Sequence, residues 1–225
     1  TDNQPKAMIP LKDKSILEHI SDTYRNHGIN KIHVVRGYKK ESINFPELNY
    51  IDNDDHETTS ELSSFHKAID QISGDIICSF GDVLFKPYLL QLLDECEDDL
   101  VIVIDTQWKD SVNKDRAADY VNCSQPHSRA NYGDSIFLES AGENLGEDSI
   151  HGEWMGIIKI SSAIFPTVRK EVDSLSKLEN FDSMKMHHLL EHLCRLKQPI
   201  RVVYTTGNWL DVDTLEDVIR ANNFL

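Results

Sequence analysis

Apolar positions recur along this chain in two rhythms, one helical and one extended. Ile16, Leu17 and Ile20 fall at helical spacing within residues 14–27, and Gly28 follows as a stop signal. Residues 29–35 read as a short strand closed by Gly37, and residues 48–51 as a second. Leu62, Phe65, Ile69 and Ile72 form one stripe, which predicts a helix over 60–72 that Ser60 caps and Gly74 breaks. Residues 75–80 are apolar almost without interruption after Asp75 and stop at Gly81-Asp82, as a buried strand does. A helix over 87–96 and another buried strand over 100–104 follow. Residues 106–134 are polar and irregular. Strands at 135–140 and 154–160 flank a glycine-rich acidic stretch at 142–152. A long helix over 181–197, a strand over 199–204 and a final helix over 214–222, capped by Thr214, complete the pattern. The alternation in the first half predicts an α/β fold, a largely parallel sheet with helices on both faces. The central insertions predict a small substrate-binding region attached to that sheet.

Composition narrows the classes. The 225 residues carry 38 acidic against 23 basic side chains, a net charge of −15, which excludes a nucleic-acid binder that needs a basic face. A nucleotide enzyme survives this test, because a few local cations and a metal suffice to hold a triphosphate. No run approaches a membrane span, and no signal peptide is visible. The four cysteines stand at wide spacings without a C-x-x-C and read as buried free thiols in a reducing cytoplasm.

In open α/β sheets, ligands bind beyond the carboxyl ends of the strands. That rule selects Gly37-Tyr38-Lys39, Asn53-Asp54-Asp55, Gly81-Asp82 and the stretch from Gly207 to Asp213. Asp82 stands at the mouth of such a crevice. Asp211 and Asp213 alternate along an extended segment and so share a side. If they meet Asp82, the three offer hard oxygen ligands suited to Mg²⁺. Each Asp also reads as an ordinary turn former or helix cap. Lys6 lies in a Pro-Lys-Ala-Met-Ile-Pro loop, and Lys159 ends the 154–160 strand, where a cation faces the same crevice. His188-Leu189-Leu190-Glu191-His192 matches H-x-x-E-H, the inverted zinc-protease pattern, or else an exposed helix face.

Taken in order, these stretches resemble a known family. Pro5-Lys6-Ala7-Met8-Ile9-Pro10, Lys14-Ser15-Ile16-Leu17-Glu18, Val34-Val35-Arg36-Gly37-Tyr38, Gly81-Asp82-Val83-Leu84-Phe85, Gly152-Glu153-Trp154-Met155-Gly156 and Trp209-Leu210-Asp211-Val212-Asp213 are similar to the sugar-nucleotide-type nucleotidyltransferases. The nearest branch is the cytidylyltransferases, including the bacterial choline-phosphate enzymes and the transferases associated with phosphoenolpyruvate mutase in phosphonate biosynthesis. The resemblance implies one nucleotidyltransferase domain over 1–225, a Rossmann-like mixed sheet, CTP as donor, Mg²⁺, and a small phosphonate or phosphate acceptor. It implies that Lys6 holds the nucleotide phosphates and that Asp82 and Asp213, with Asp211 assisting, bind the metal. Gly37, Tyr38, Ser60, Ser63 and Gly81 are implied near the nucleotide, and Lys114, Arg116, Glu153, Trp154 and Lys159 near the acceptor. A homodimer, or fusion to or association with a mutase, is compatible with it. So are a phosphocholine or sugar 1-phosphate acceptor and, in another class, a non-catalytic nucleotide-binding regulatory domain. The family pattern opens with a strand and a glycine-rich loop ending in a catalytic arginine, shortly before the Pro-Lys pair. The residues given start at Thr1 without them, and the expectation is that this segment belongs to the protein upstream of Thr1.

Overall fold

The computed structural model describes residues 4–110, 117–131 and 133–225. In chain order the elements are β1 (Pro10–Leu11), β2 (Lys14–Ser15), α1 (Ile16–Asn26), β3 (His33–Arg36), β4 (Asn49–Asp52), α2 (Glu61–Ile69), β5 (Ile76–Cys78), β6 (Val83–Phe85), α3 (Tyr88–Asp94), β7 (Leu100–Asp105), β8 (Tyr120–Cys123), β9 (Leu138–Gly142), β10 (Gly152–Ile160), α4 (Phe165–Leu175), α5 (Met186–Arg195), β11 (Arg201–Thr205), β12 (Trp209–Asp211) and α6 (Leu215–Phe224). Among the described residues, no helix is long and apolar enough to cross a membrane.

The fold is α/β and its sheet is mixed. The main sheet runs β11-β7-β10-β8-β9, with β5 also paired to β10. Parallel pairing joins β11 to β7 and β3 to β4, whereas β10 runs antiparallel to β5, β7 and β8. Strand β7 explains the layering. Its residues are buried on both faces, and they alternate: Leu100, Ile102 and Ile104 enter one core with α2, α4 and α5, while Val101 and Val103 enter the other with α1, α3 and α6. All four cysteines are free; Cys123 is buried, and burial pushes its thiol up to about 11, whereas Cys78, Cys96 and Cys194 are half-buried.

Local chemistry accounts for most boundaries. Ser15 and Glu18 form a capping box at the start of α1, and Gly28 ends it at φ +94°. Ser60 precedes α2 but makes no side-chain cap bond there. The expected single helix over 181–197 is broken instead: a 3₁₀ turn at Phe181–Ser183 gives way to extended Met184 and Lys185 before α5. Phe181 and Met184 are buried with Met186 and Leu189, so one apolar stripe spans both pieces and hides the break. Helix α4 had gone unread, although Phe165, Val168, Val172 and Leu175 form its buried stripe and a proline starts it. Strand β8 lies in the stretch read as irregular, and its alternating burial shows why it is a strand.

Strand β10 carries a bulge that shapes the site. Its register against β7 shifts between Trp154 and Ile158. Trp154 Nε1 donates to Ile157 O at 2.9 Å across the bulge. At the bulge Gly156 has φ +81°, and a Cβ there would lie 2.2 Å from the Phe80 ring. Gly156→Ala is therefore expected to cost about 2 kcal/mol or more of stability, read as a lowered urea midpoint at unchanged slope. A midpoint equal to wild type would show that Phe80 moves aside freely.

Candidate active site

Two short strands bring distant carboxylates together. Strand β12 pairs antiparallel with β6, placing Asp211 against Val83, and Val212 N donates to Asp82 O at 3.1 Å. Backbone pairing thus sets Asp82, just before β6, beside Asp211 and Asp213. Carboxylate oxygens of the three lie within 4.8 Å of one another. Alternation along the extended segment puts Asp211 and Asp213 on one side, as their spacing implied.

Lys6 reaches the same place from the other end of the chain. It begins a 3₁₀ turn after Pro5, with Ile9 N bonded to its carbonyl at 2.9 Å. Its Nζ donates to Asp82 Oδ2 at 3.2 Å and also to Asp213. Burial works against the ammonium, but the Asp213 and Asp82 carboxylates outweigh it and raise the Lys6 pKa. Lys6 is therefore a fixed positive charge at any physiological pH.

A second set of contacts holds this arrangement. Asp217, buried in the first turn of α6, accepts from Thr214 N at 2.9 Å and Asp213 N at 3.3 Å, completing a capping box with Thr214. Asp105, at the end of β7, accepts from Gly207 N at 2.9 Å and from Trp209 Nε1 at 2.8 Å, fixing the turn that leads into β12. Both carboxylates were missed in the sequence. The signal for Asp105 was a charge closing an apolar run. Asp217→Ala is expected to destabilise the protein by about 1–2 kcal/mol in thermal or urea unfolding, because two backbone amides lose their acceptor. An unchanged midpoint would remove Asp217 from this role.

Lys6, Asp82, Asp211 and Asp213 line one cavity of about 440 Å³, together with Phe80, Gly81, Glu153, Trp154 and Trp209. Its size suits a small ligand. Two close approaches lie at or beside its wall. A Cβ on Gly152 would lie 2.4 Å from the Ile104 side chain, so β10 packs against β7 there only as glycine. Phe80 meets Trp154 edge-on, with ring centroids 5.6 Å apart.

The other residues singled out by sequence are placed as follows. Glu153 and Trp154 line the cavity. Gly37 and Tyr38 follow β3, Ser60 precedes α2 and Ser63 is buried within it; none of the four lines the cavity. Gly37 instead permits a close approach of His56, whose Cβ would lie 2.5 Å from an added Cβ. Lys159 is not brought to the site. Its ammonium donates to Leu93 O at 2.9 Å and Cys96 O at 2.7 Å, binding the C-terminal end of α3. Lys114 and Arg116 lie outside the described residues. The H-x-x-E-H histidines are engaged separately: His188 Nδ1 accepts from Lys185 N at 3.0 Å, and His192 pairs with Glu171 at 2.9 Å.

The donor set of Asp82, Asp211 and Asp213 is all carboxylate oxygen, which fits Mg²⁺. A divalent ion bound there supplies positive charge that stabilises phosphate oxygens.

A Rossmann-like sheet with a metal-suited carboxylate cluster and a fixed lysine at its crevice defines the nucleotidyltransferase class. The chain belongs to the MobA-like NTP transferase domain family, whose pattern matches residues 2–170. It is 25% identical to the CTP:phosphoglutamine cytidylyltransferase of Campylobacter jejuni over 97% of this chain and 91% of that protein. It is 24% identical to the bifunctional protein GlmU of Methanocaldococcus jannaschii, matching along 100% of this chain but spanning only 50% of that protein. Among solved structures, the inositol-1-phosphate CTP transferase from T. maritima superposes with a TM-score of 0.75 at 15% identity, covering 100% of this chain and 88% of that one.

Proposed function

We propose that this protein is a cytidylyltransferase that transfers CMP from CTP to a small phosphonate, such as 2-aminoethylphosphonate or 2-hydroxyethylphosphonate, and releases pyrophosphate. The observation that carries the reading is the convergence of Lys6, Asp82, Asp211 and Asp213 on one cavity. CTP as donor is supported by the activities named for the Campylobacter jejuni and T. maritima proteins. The phosphonate is supported by the likeness of the Gly152–Gly156 and Trp209–Asp213 stretches to transferases associated with phosphoenolpyruvate mutase. Such a mutase, fused or separate in a reducing cytoplasm, would supply the carbon–phosphorus bond.

In the proposed reaction an oxygen of the acceptor attacks the α-phosphorus of CTP. The bond from that phosphorus to the bridging oxygen of the β-phosphate breaks, and pyrophosphate leaves with the electron pair. The acceptor oxygen is already anionic, so no strong base is needed. The barrier is repulsion between two anions, and catalysis consists of neutralising charge and holding the groups in line. Lys6 gives a permanent cation. Asp82 and Asp213 aim it, and Asp217 and Asp105 hold the backbone that carries Asp213 and Trp209. Among the described strands β3 pairs only with β4 and β5 only with β10.

The test is a pyrophosphate-release screen of the four NTPs against the two phosphonates, phosphocholine and sugar 1-phosphates, using the full-length protein with Mg²⁺. CTP with a phosphonate is the expected best pair. Turnover only with another nucleotide or a sugar 1-phosphate would replace this reading by the corresponding nucleotidyltransferase.

A further inference from the structure

The cavity wall contains a second group of charged side chains, apart from the three aspartates beside Lys6. It gathers around the start of α5. Asp119 takes a hydrogen bond with His187 Nδ1 at 2.6 Å, Glu61 accepts from Met186 N at 3.1 Å, and Lys185 pairs with Glu143. Glu61, Asp119 and Lys185 all line the cavity. Asp119, Glu143 and His187 present ligand atoms within 4.8 Å of one another. Three carboxylates therefore face one ammonium and one imidazole, and with the carboxylates ionised the group is anionic whichever state His187 holds. Burial, opposed by the Met186 amide and reinforced by Asp119, raises the pKa of Glu61, so an additional positive charge beside it is favoured.

The same wall is aromatic. Phe80 and Trp154, edge to face at 5.6 Å, line the cavity with Trp209. Aromatic faces beside carboxylates are the surroundings in which an organic ammonium is held, by ring quadrupole and by charge together. Fastening α5 explains each hydrogen bond singly. It does not require the carboxylates to border a cavity, or the aromatic rings to border it with them.

A phosphorylated acceptor is itself an anion. Bringing it beside Glu61 and Asp119, where the ammonium of Lys185 is already paired with Glu143, costs free energy unless it carries a compensating charge. From this we infer that the acceptor is a zwitterion, with an amino or quaternary ammonium group that binds among Glu61, Asp119 and the Phe80 and Trp154 rings. The inference rests on the cytidylyltransferase reading and narrows its substrate. It separates acceptors of equal size by charge alone: 2-aminoethylphosphonate over 2-hydroxyethylphosphonate, and phosphocholine over 3,3-dimethylbutyl phosphate, its uncharged isostere.

The experiment measures pyrophosphate release from CTP with these four compounds in the full-length protein. The charged member of at least one pair is expected to have a kcat/KM higher by roughly 100-fold. Glu61→Gln and Asp119→Asn are expected to bring that ratio toward one. The wild-type ratio decides the question by itself if either variant does not fold. Equal rates within both pairs, faster turnover of the neutral members, or a ratio untouched by both substitutions overturns the inference while leaving a cytidylyltransferase. No pyrophosphate from CTP with any acceptor overturns the inference and the reading beneath it together.

Discussion

Asp82→Ala is expected to lower pyrophosphate release from CTP by about 10³-fold while the protein remains folded. The two halves of this expectation have separate causes. What Asp82 gives the fold is its backbone: its carbonyl accepts from Val212 N at 3.1 Å, and alanine keeps that bond. What it gives the chemistry is its side chain, which meets Lys6 at 3.2 Å and completes the oxygen cluster with Asp211 and Asp213. Circular dichroism and thermal unfolding should match wild type while turnover falls. Activity within tenfold of wild type would remove Asp82 from the phosphate chemistry. Asp82→Asn is expected to be nearly as damaging, because an amide keeps the shape and loses the charge.

Lys6→Met should act in two opposite directions. On the proposed reading its kcat/KM is expected to fall by roughly 10² to 10³-fold, since the cation assigned to the phosphates is gone. The affinity of the unliganded protein for Mg²⁺ is expected to rise by roughly tenfold. Lys6 occupies the space between Asp82 and Asp213, and its ammonium competes with a divalent ion for the same oxygens. Removing it leaves the carboxylates repelling one another and open to a metal. Steady-state kinetics reads the first effect and titration calorimetry with Mg²⁺ reads the second. A Mg²⁺ affinity that falls in Lys6→Met would show that Lys6 organises the cluster rather than competing for it.

The sequence made the ends of this site visible for a physical reason. Asp82 and Asp211–Asp213 follow or occupy extended segments, where strand geometry dictates where a side chain stands. Their meeting needed only one further fact, the pairing of β6 with β12. Lys159 was misplaced by the same geometry applied without direction. At about 3.3 Å per residue, the far end of β10 lies roughly 20 Å from Glu153, so a cation there meets α3 instead of the crevice. Asp105 was hidden because it receives Gly207 N and Trp209 Nε1 from far along the chain, and no local pattern marks that, whereas Asp217 stands three residues after Thr214 at capping-box spacing, a local signal that had gone unread. The group around α5 was hidden by the apolar stripe that runs through Phe181, Met184 and Met186. It reads as one helix, and only the extended Lys185 in the structure reveals a helix start at the cavity wall.

The clasp between β6 and β12 also has a bearing on how the protein is made. Asp82 is synthesised well before Trp209, Asp211 and Asp213, and the ladder that unites them closes a loop through most of the domain. Such a contact is late and slow to form, because the intervening chain must be ordered first. A nascent chain that has paired β5, β7 and β10 thus still has its carboxylates apart, and they are united only when β12 docks on β6.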